Sequence, residues 1–447
     1  MRITLLGHAS LLVEGEGATL LMDPVFFDPF ENEQTVSCPA REVFPEKLPP
    51  IDGVLLSHGH ADHFDRRSMM QLPRNITVYL PRDPELASAL GALGFSRLQP
   101  IEPGLPFKIG GLQVLPTGSR DDDEVGAVFS DSTGSAWNQV DTATNHTMAR
   151  NVFEHLGKAL DVVLCPFNPL LEYGELWTSE EAFPRERYER LLEAAISSHA
   201  HTIIPSSSGQ RLEGRMEWAN PRTFPVSRER FIQDLHQVAP EVRGLLLNPG
   251  EGVELSDGAL KTITSPCART LQDDTHRIHF DPVAHPPPPL IDTNPLHFSE
   301  EAMETTLAQL MEEVLPAQLN AQLTPRLTGP LRTLWDRRAS LQIELVFPGA
   351  ERHWHISSWS PHALLQAGPH SDPDYAFRYI ASEIYGHLQG QFNIQAHGSL
   401  RARRRAPSTP NADEPFRFSS LDPARLFGED LYNVVDATFF WHPLHLL

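Results

Sequence analysis

Cysteine is nearly absent from this chain: three occur in 447 residues, far apart, at Cys38, Cys165 and Cys267. An odd, low count without a Cys-x-x-Cys pair argues against a disulfide framework and against a cysteine-built zinc or iron–sulfur site. A reducing, cytoplasmic setting fits such usage. Positive charge is also scarce, with 36 Lys and Arg against 58 Asp and Glu and a net charge of -22. Nucleic acid and anionic membranes would be repelled, so neither is expected as a main partner. One basic run, at residues 401–405, reads as a solvated loop beside a polar, Pro-containing stretch at 406–415. No run of about 18 apolar residues occurs, so no membrane span is expected. The start of the chain lacks an apolar core and a small-residue cleavage site, so no signal peptide is expected. No Gly-x-Gly-x-x-Gly fingerprint for a flavin or nicotinamide is present.

Apolar residues make up 40% of the chain, ample for a buried core, and the length suggests two or three domains. The first half reads as short strands that pair as hairpins and then alternate with helices. That order predicts an α/β sandwich with helices outside. Four consecutive prolines, Pro286 to Pro289, favour a stiff spacer. The expected division is therefore a domain over 1–280, a Pro-rich linker over 281–290 and an α+β domain over 291–447. In the latter, residues 299–319 read as an amphipathic helix, 341–347 and 353–358 as a strand pair, and 375–388 as a helix. Phe439, Phe440 and Trp441 read as core packing.

The chemistry concentrates at Ser57-His58-Gly59-His60-Ala61-Asp62-His63, just after the apolar strand 53–56. Two histidines at i and i+2 in extended chain project the same way and can share one metal. Asp62 and His63 follow on the turn and can reach a second. Imidazole and carboxylate ligands suit zinc or iron.

This motif resembles the signature of the metallo-β-lactamase superfamily, which implies an αββα sandwich. Met22-Asp23-Pro24 is similar to that fold's early strand end, where the resemblance implies that Asp23 supports the metal loop. Gly7-His8-Ala9-Ser10 resembles the opening turn of one branch and would place His8 near the site. Within the superfamily, the order of motifs through Trp137 to Asp141 and Asn248 to Leu255 resembles the CMP-N-acetylneuraminate hydroxylases (monooxygenases), in the region beyond their Rieske domain. The likeness covers about residues 1–260. It implies that Asp141 bridges two metals; an N-cap Asp before Thr142 is the alternative. It also marks two departures, because Arg120 and Ser207 stand where the family's pattern has histidines. Possible substitutes are Asp121, Asp122 or Asp123 on one side and His201, Glu213 or Glu217 on the other, with a solvated loop residue as the alternative reading of each. No Cys-x-His and Cys-x-x-His pair is present, so no Rieske cluster is built in. Residues 297–400 resemble sterol-carrier-protein-like domains in element order, with a packing or dimerisation domain as the alternative.

These readings lead to an enzyme that uses iron, as one or two ions, or zinc. The hydroxylase resemblance implies an oxygenase of a small molecule that takes electrons from a separate electron-transfer protein. The alternative is a zinc-dependent hydrolase of an ester, lactone, amide or phosphodiester, in which the metal lowers the pKa of bound water. A non-catalytic metal- or ligand-binding protein is the third reading.

Overall fold

The computed structural model describes residues 1–30, 34–119, 124–171, 183–256, 258–317, 340–358, 364–373, 375–391 and 401–404. Arg120, Asp121, Asp122 and Asp123 lie outside the described residues, as do Phe439, Phe440 and Trp441. The chain divides into two compact units: Met1–Leu170 with Phe183–Asp281, and the part from Pro282 onward.

The first unit stacks two sheets. One runs, in spatial order, Ala259–Thr264, Glu251–Ser256, Arg2–Gly7, Ser10–Gly15, Ala18–Met22, Gly53–Leu55, Thr77–Leu80 and Arg97–Pro100. The other runs Arg243–Gly244, Thr202–Pro205, Val162–Cys165, Ser135–Asn138, Gly126–Ser130, Leu112–Thr117 and Phe107–Ile109. Each sheet begins with antiparallel hairpins and continues into parallel strands.

Side-chain alternation explains why the sheets stack and why helices cover them. Leu20 and Met22 face the layer between the sheets with Val162, Leu164 and Ile204. Leu21 points the other way, to Val54, Val78, Leu86 and Leu90. Val163 and Cys165 likewise point outward, toward Leu192, Phe231 and Leu235. Strands buried on both faces read as continuous apolar runs, which is how 53–56 and 162–165 look in the sequence. The covering helices start at defined residues. Asp83 accepts from the Glu85 and Leu86 amides ahead of Pro84–Ala92, and Asn145 accepts from the Met148 amide ahead of His146–Leu156. The result is a four-layer αββα sandwich, and its strand ends carry the loops described below.

The second unit is α+β. Its sheet runs Leu364–Ala367, Ala350–Ser358, Leu341–Phe347, Tyr375–Ile380 and Arg401–Arg404. Glu300–Gln309 continues through a π-helical turn, Leu310–Val314, and packs Met303, Leu307, Met311 and Leu315 onto Ile343, Leu345, Phe377 and Tyr379. Two expectations are overturned. The basic run at 401–405, read as a solvated loop, supplies the strand Arg401–Arg404, paired antiparallel with Tyr375–Ile380. The helix read over 375–388 begins only at Ala381, and Tyr375–Ile380 is a strand. Phe377 and Tyr379 enter the core while Arg378 between them pairs with Glu344 at 2.6 Å and Glu351 at 2.7 Å, so the period is 2. Among the described residues no helix is long and apolar enough to cross a membrane.

Candidate metal centre

The loop after Gly53–Leu55 is anchored by Asp23, which ends the neighbouring strand. Asp23 is fully buried, and its backbone has a left-handed φ of 45°. Its Oδ1 accepts from the Ser57 amide at 2.7 Å, and its Oδ2 accepts from the Ser57 hydroxyl at 2.6 Å. The same Oδ2 accepts from His63 Nδ1 at 2.9 Å. This bond turns the free Nε2 of His63 into the cluster, as an outer carboxylate does for a ligand histidine. The Ser57 hydroxyl gives its proton to Asp23, so at 2.8 Å from His58 Nδ1 it accepts from that ring. His58 therefore also presents a bare Nε2.

Two groups of side chains converge. In the first, His58 Nε2 lies 3.5 Å from Glu124 Oε1, and His60 Nδ1 lies 3.9 Å from the same oxygen. The Val125 amide donates to the Ser57 carbonyl at 3.1 Å, which sets Glu124 over the histidines. His60 is 73% exposed, so this is the open face of the centre. In the second, His8 Nε2 lies 3.1 Å from Asp62 Oδ2 and 3.4 Å from His63 Nε2. His63 Nε2 lies 3.0 Å from Asp141 Oδ2 and 3.5 Å from Asp62 Oδ2. Candidate ligand atoms of His8, Asp62, His63 and Asp141 all fall within 4.8 Å of one another, as do those of His58, His60 and Asp62.

Backbone strain marks the residues that build this arrangement. His8, Asp23 and Val140 all have positive φ, at 48°, 45° and 54°. For Val140 that is a costly conformation, tolerated because it aims the adjacent Asp141. The turn is tied down by the Val140 amide donating to Asn138 Oδ1 at 3.3 Å and by Thr142 Oγ1 donating to the Gln139 carbonyl at 2.5 Å.

The electrostatics describe buried carboxylates held ionised by a neighbouring positive charge. Burial pushes His58 down to about 2, with His63 and His60 adding to the shift, so it is neutral and ready to ligate. Burial opposes charge on His63, but Asp62 and Asp141 outweigh it and hold its pKa well above the usual range. Burial likewise works against ionised Asp62 and Asp141, and the His63 charge overrides it and holds both below the usual carboxylate range. Buried carboxylates here are compensated by a proton on His63. A metal ion would take over that role. Buried atoms at the cluster, among them His8 Nδ1, His58 Nε2 and Asp141 Oδ1, have no hydrogen-bond partner. Those orphaned lone pairs fit a metal.

The structure thus brings together His58, His60, Asp62, His63 and Asp141, with Asp23 behind them. It moves His8 from the vicinity into the second group. Glu124 joins the first group and was missed in the sequence, where it ends an acidic run of ordinary solvated appearance. Ser207 is fully buried and its hydroxyl has no partner. Its loop nevertheless borders the site, since a Cβ on Gly209 would stand 3.7 Å from His8 Cα. The substitutes weighed on that side lie elsewhere: Glu213 pairs with Arg211 at 3.3 Å, Glu217 with Arg277 at 4.0 Å, and His201 is exposed.

The αββα sandwich with these side chains at its strand ends matches the metallo-β-lactamase fold. The family model described as "Beta-lactamase superfamily domain" matches residues 2–168. A UPF0173 metal-dependent hydrolase from Methanopyrus kandleri is 24% identical over 270 residues, 57% of this chain and 100% of that protein. A protein of Mycolicibacterium smegmatis described as a Rieske 2Fe-2S iron-sulfur protein is 23% identical over 300 residues. That match spans 60% of this chain and 56% of its relative. Among solved structures, CmlA, a diiron beta-hydroxylase from Streptomyces venezuelae, is similar with a TM-score of 0.39 and 16% identity, over 59% of this chain and 54% of that one.

Proposed function

We propose that the protein is an iron-dependent oxygenase of a small molecule that draws electrons from a separate protein. The observation that carries this reading is Glu124 beside His58 and His60. Two histidines and one carboxylate with an open face are the ligand set of non-haem iron oxygenases. The second group, His8, Asp62, His63 and Asp141, adds two carboxylates and lies close enough for a dinuclear centre. Iron held there would supply O2 activation, which neither the side chains nor substrate can provide. Asp23 and Ser57 orient His63 and His58, Asp141 and Asp62 compensate charge, and the exposed His60 marks the side from which substrate enters. The three buried cysteines are far apart, which supports an external electron source, and the iron–sulfur name of the Mycolicibacterium relative points the same way.

A zinc hydrolase is the second reading, favoured by the metal-dependent hydrolase name of the Methanopyrus relative. Two histidines and a glutamate also hold catalytic zinc. For the second unit, we infer an accessory packing role: Ile343, Leu345, Phe347 and Trp354 fill its described core. That favours packing over a sterol-carrier-like cavity for an apolar ligand. Elemental analysis of protein purified without added metal decides between iron and zinc. Iron near stoichiometry, with a diiron Mössbauer signature after anaerobic loading and O2, is expected. Zinc as the tightly held metal, together with turnover of a lactone or phosphodiester, would overturn the oxygenase.

A further inference from the structure

Arg228 is a buried charge without a buried partner. It is the first residue of the helix Arg228–Val238, and its side chain is 6% exposed. Nη1 donates to the Leu247 carbonyl at 2.6 Å and Nη2 to Asn248 Oδ1 at 3.0 Å, both neutral acceptors. Its Nε has no hydrogen-bond partner. Within 4.0 Å, among the described residues, the one carboxylate is that of Glu229, at 4.0 Å and partly exposed. Two other buried guanidiniums each leave one nitrogen unbonded but hold a carboxylate directly: Arg41 meets Asp28 at 3.3 Å and Arg211 meets Asp274 at 2.7 Å. Asp274 is further committed to the Ala40 amide, so it is not a spare counter-ion. Burying a cation without a compensating anion is strongly unfavourable, and folded proteins rarely leave one so.

Arg228 lines a small cavity with Cys38, Asn168, Gly209, Gln210 and Ser227. The cavity has room for one guest of about the size of a water molecule. Ser227 caps the helix, so the positive end of the helix dipole meets the cavity as well. Gln210 is also buried and its Oε1 has no partner; turned over, the amide offers an N–H instead. Cys38 cannot supply the missing negative charge as a thiolate, because burial holds its thiol protonated, far above its usual range.

We propose that this cavity is a binding site for one small monovalent anion of halide size, held by Arg228 Nε–H, the helix N-terminus and the Gln210 amide. A water molecule would fill the same volume but bring no negative charge, leaving Arg228 to the partly exposed Glu229 and to the charges of Asp273 and Glu251. Gly209 belongs to the cavity wall and also abuts His8, so the anion braces the loop behind the metal centre.

The test is thermal melting of the full chain in sodium bromide against sodium gluconate at constant ionic strength, with a crystal grown in bromide. Between 1 and 100 mM bromide, an upward shift of about 2–4 °C is expected, the scale of a modest ligand-linked stabilisation. An anomalous bromine peak beside Arg228 Nε is expected in the crystal. Arg228→Met should abolish the bromide dependence and melt in gluconate no lower than the unaltered protein. If Arg228→Met does not fold, the unaltered protein's titration and the crystal decide alone. Bromide-independent melting of the unaltered protein, or a water without anomalous signal in the cavity, overturns the proposal.

Discussion

Asp23→Asn isolates the support behind the candidate metal centre without touching a proposed ligand. Asp23 accepts three hydrogen bonds, from the Ser57 amide at 2.7 Å, the Ser57 hydroxyl at 2.6 Å and His63 Nδ1 at 2.9 Å. With the asparagine oxygen kept on the Ser57 amide, its NH2 faces a hydroxyl and a ring nitrogen that both now donate. His63 must then carry its proton on Nε2, the atom that faces Asp62 and Asp141. A protonated nitrogen cannot ligate. Loss of such an outer partner weakens metal binding about 10–100-fold, or about 1.4–2.7 kcal/mol. The metal-free protein also loses a charge-assisted buried bond worth about 1.5–3 kcal/mol and should melt several degrees lower. Competition with a chromophoric chelator measures the affinity, and melting curves show that the variant is folded. Asp52→Asn is the control, because Asp52 is exposed, lies away from the candidate centre and accepts from the Thr19 amide at 2.8 Å. A folded Asp23→Asn protein that binds metal as tightly as the unaltered one would refute the account of how His63 is oriented.

Glu124→Gln should remove the ion held with His58 and His60, and Glu124→His should shift uptake from iron toward zinc by completing a three-histidine set; metal analysis after growth in mixed metals checks both. His8→Ala should empty the second group while melting shows a folded protein, since His8 reaches Asp62 at 3.1 Å and is not part of the sheet core. Gly7→Ala should cost about 1–3 kcal/mol in chemical denaturation and lower metal content, because φ there is 125° and a Cβ would stand 2.6 Å from Arg41 Cδ and Nη1. Leu21→Ala, deep in the outer layer, should cost about 2–5 kcal/mol by the same assay, with metal stoichiometry unchanged.

The chain's own order carries part of this protein. His58, His60, Asp62 and His63 are legible as candidate ligands because such residues on one extended loop need only local spacing, and the apolar strand before them is local too. The αββα layering is also legible, since strands buried on both faces show as unbroken apolar runs and helices show their period. The completion of the centre is not local. His8 arrives from the first hairpin, Asp23 from the third strand, Glu124 from the second sheet's edge of the cleft and Asp141 from a strained turn beyond it, and only the pairing of the two sheets sets them within reach. Glu124 resembles any acid in an acidic run until the Val125 amide finds the Ser57 carbonyl. Tyr375–Ile380 shows the same limit in the second unit: what decides for a strand is its parallel pairing with Leu341–Phe347. Local sequence determined which residues could ligate and which segments could order. Contacts between segments distant in the chain decided which of them meet, because that choice depends on partners no short window contains.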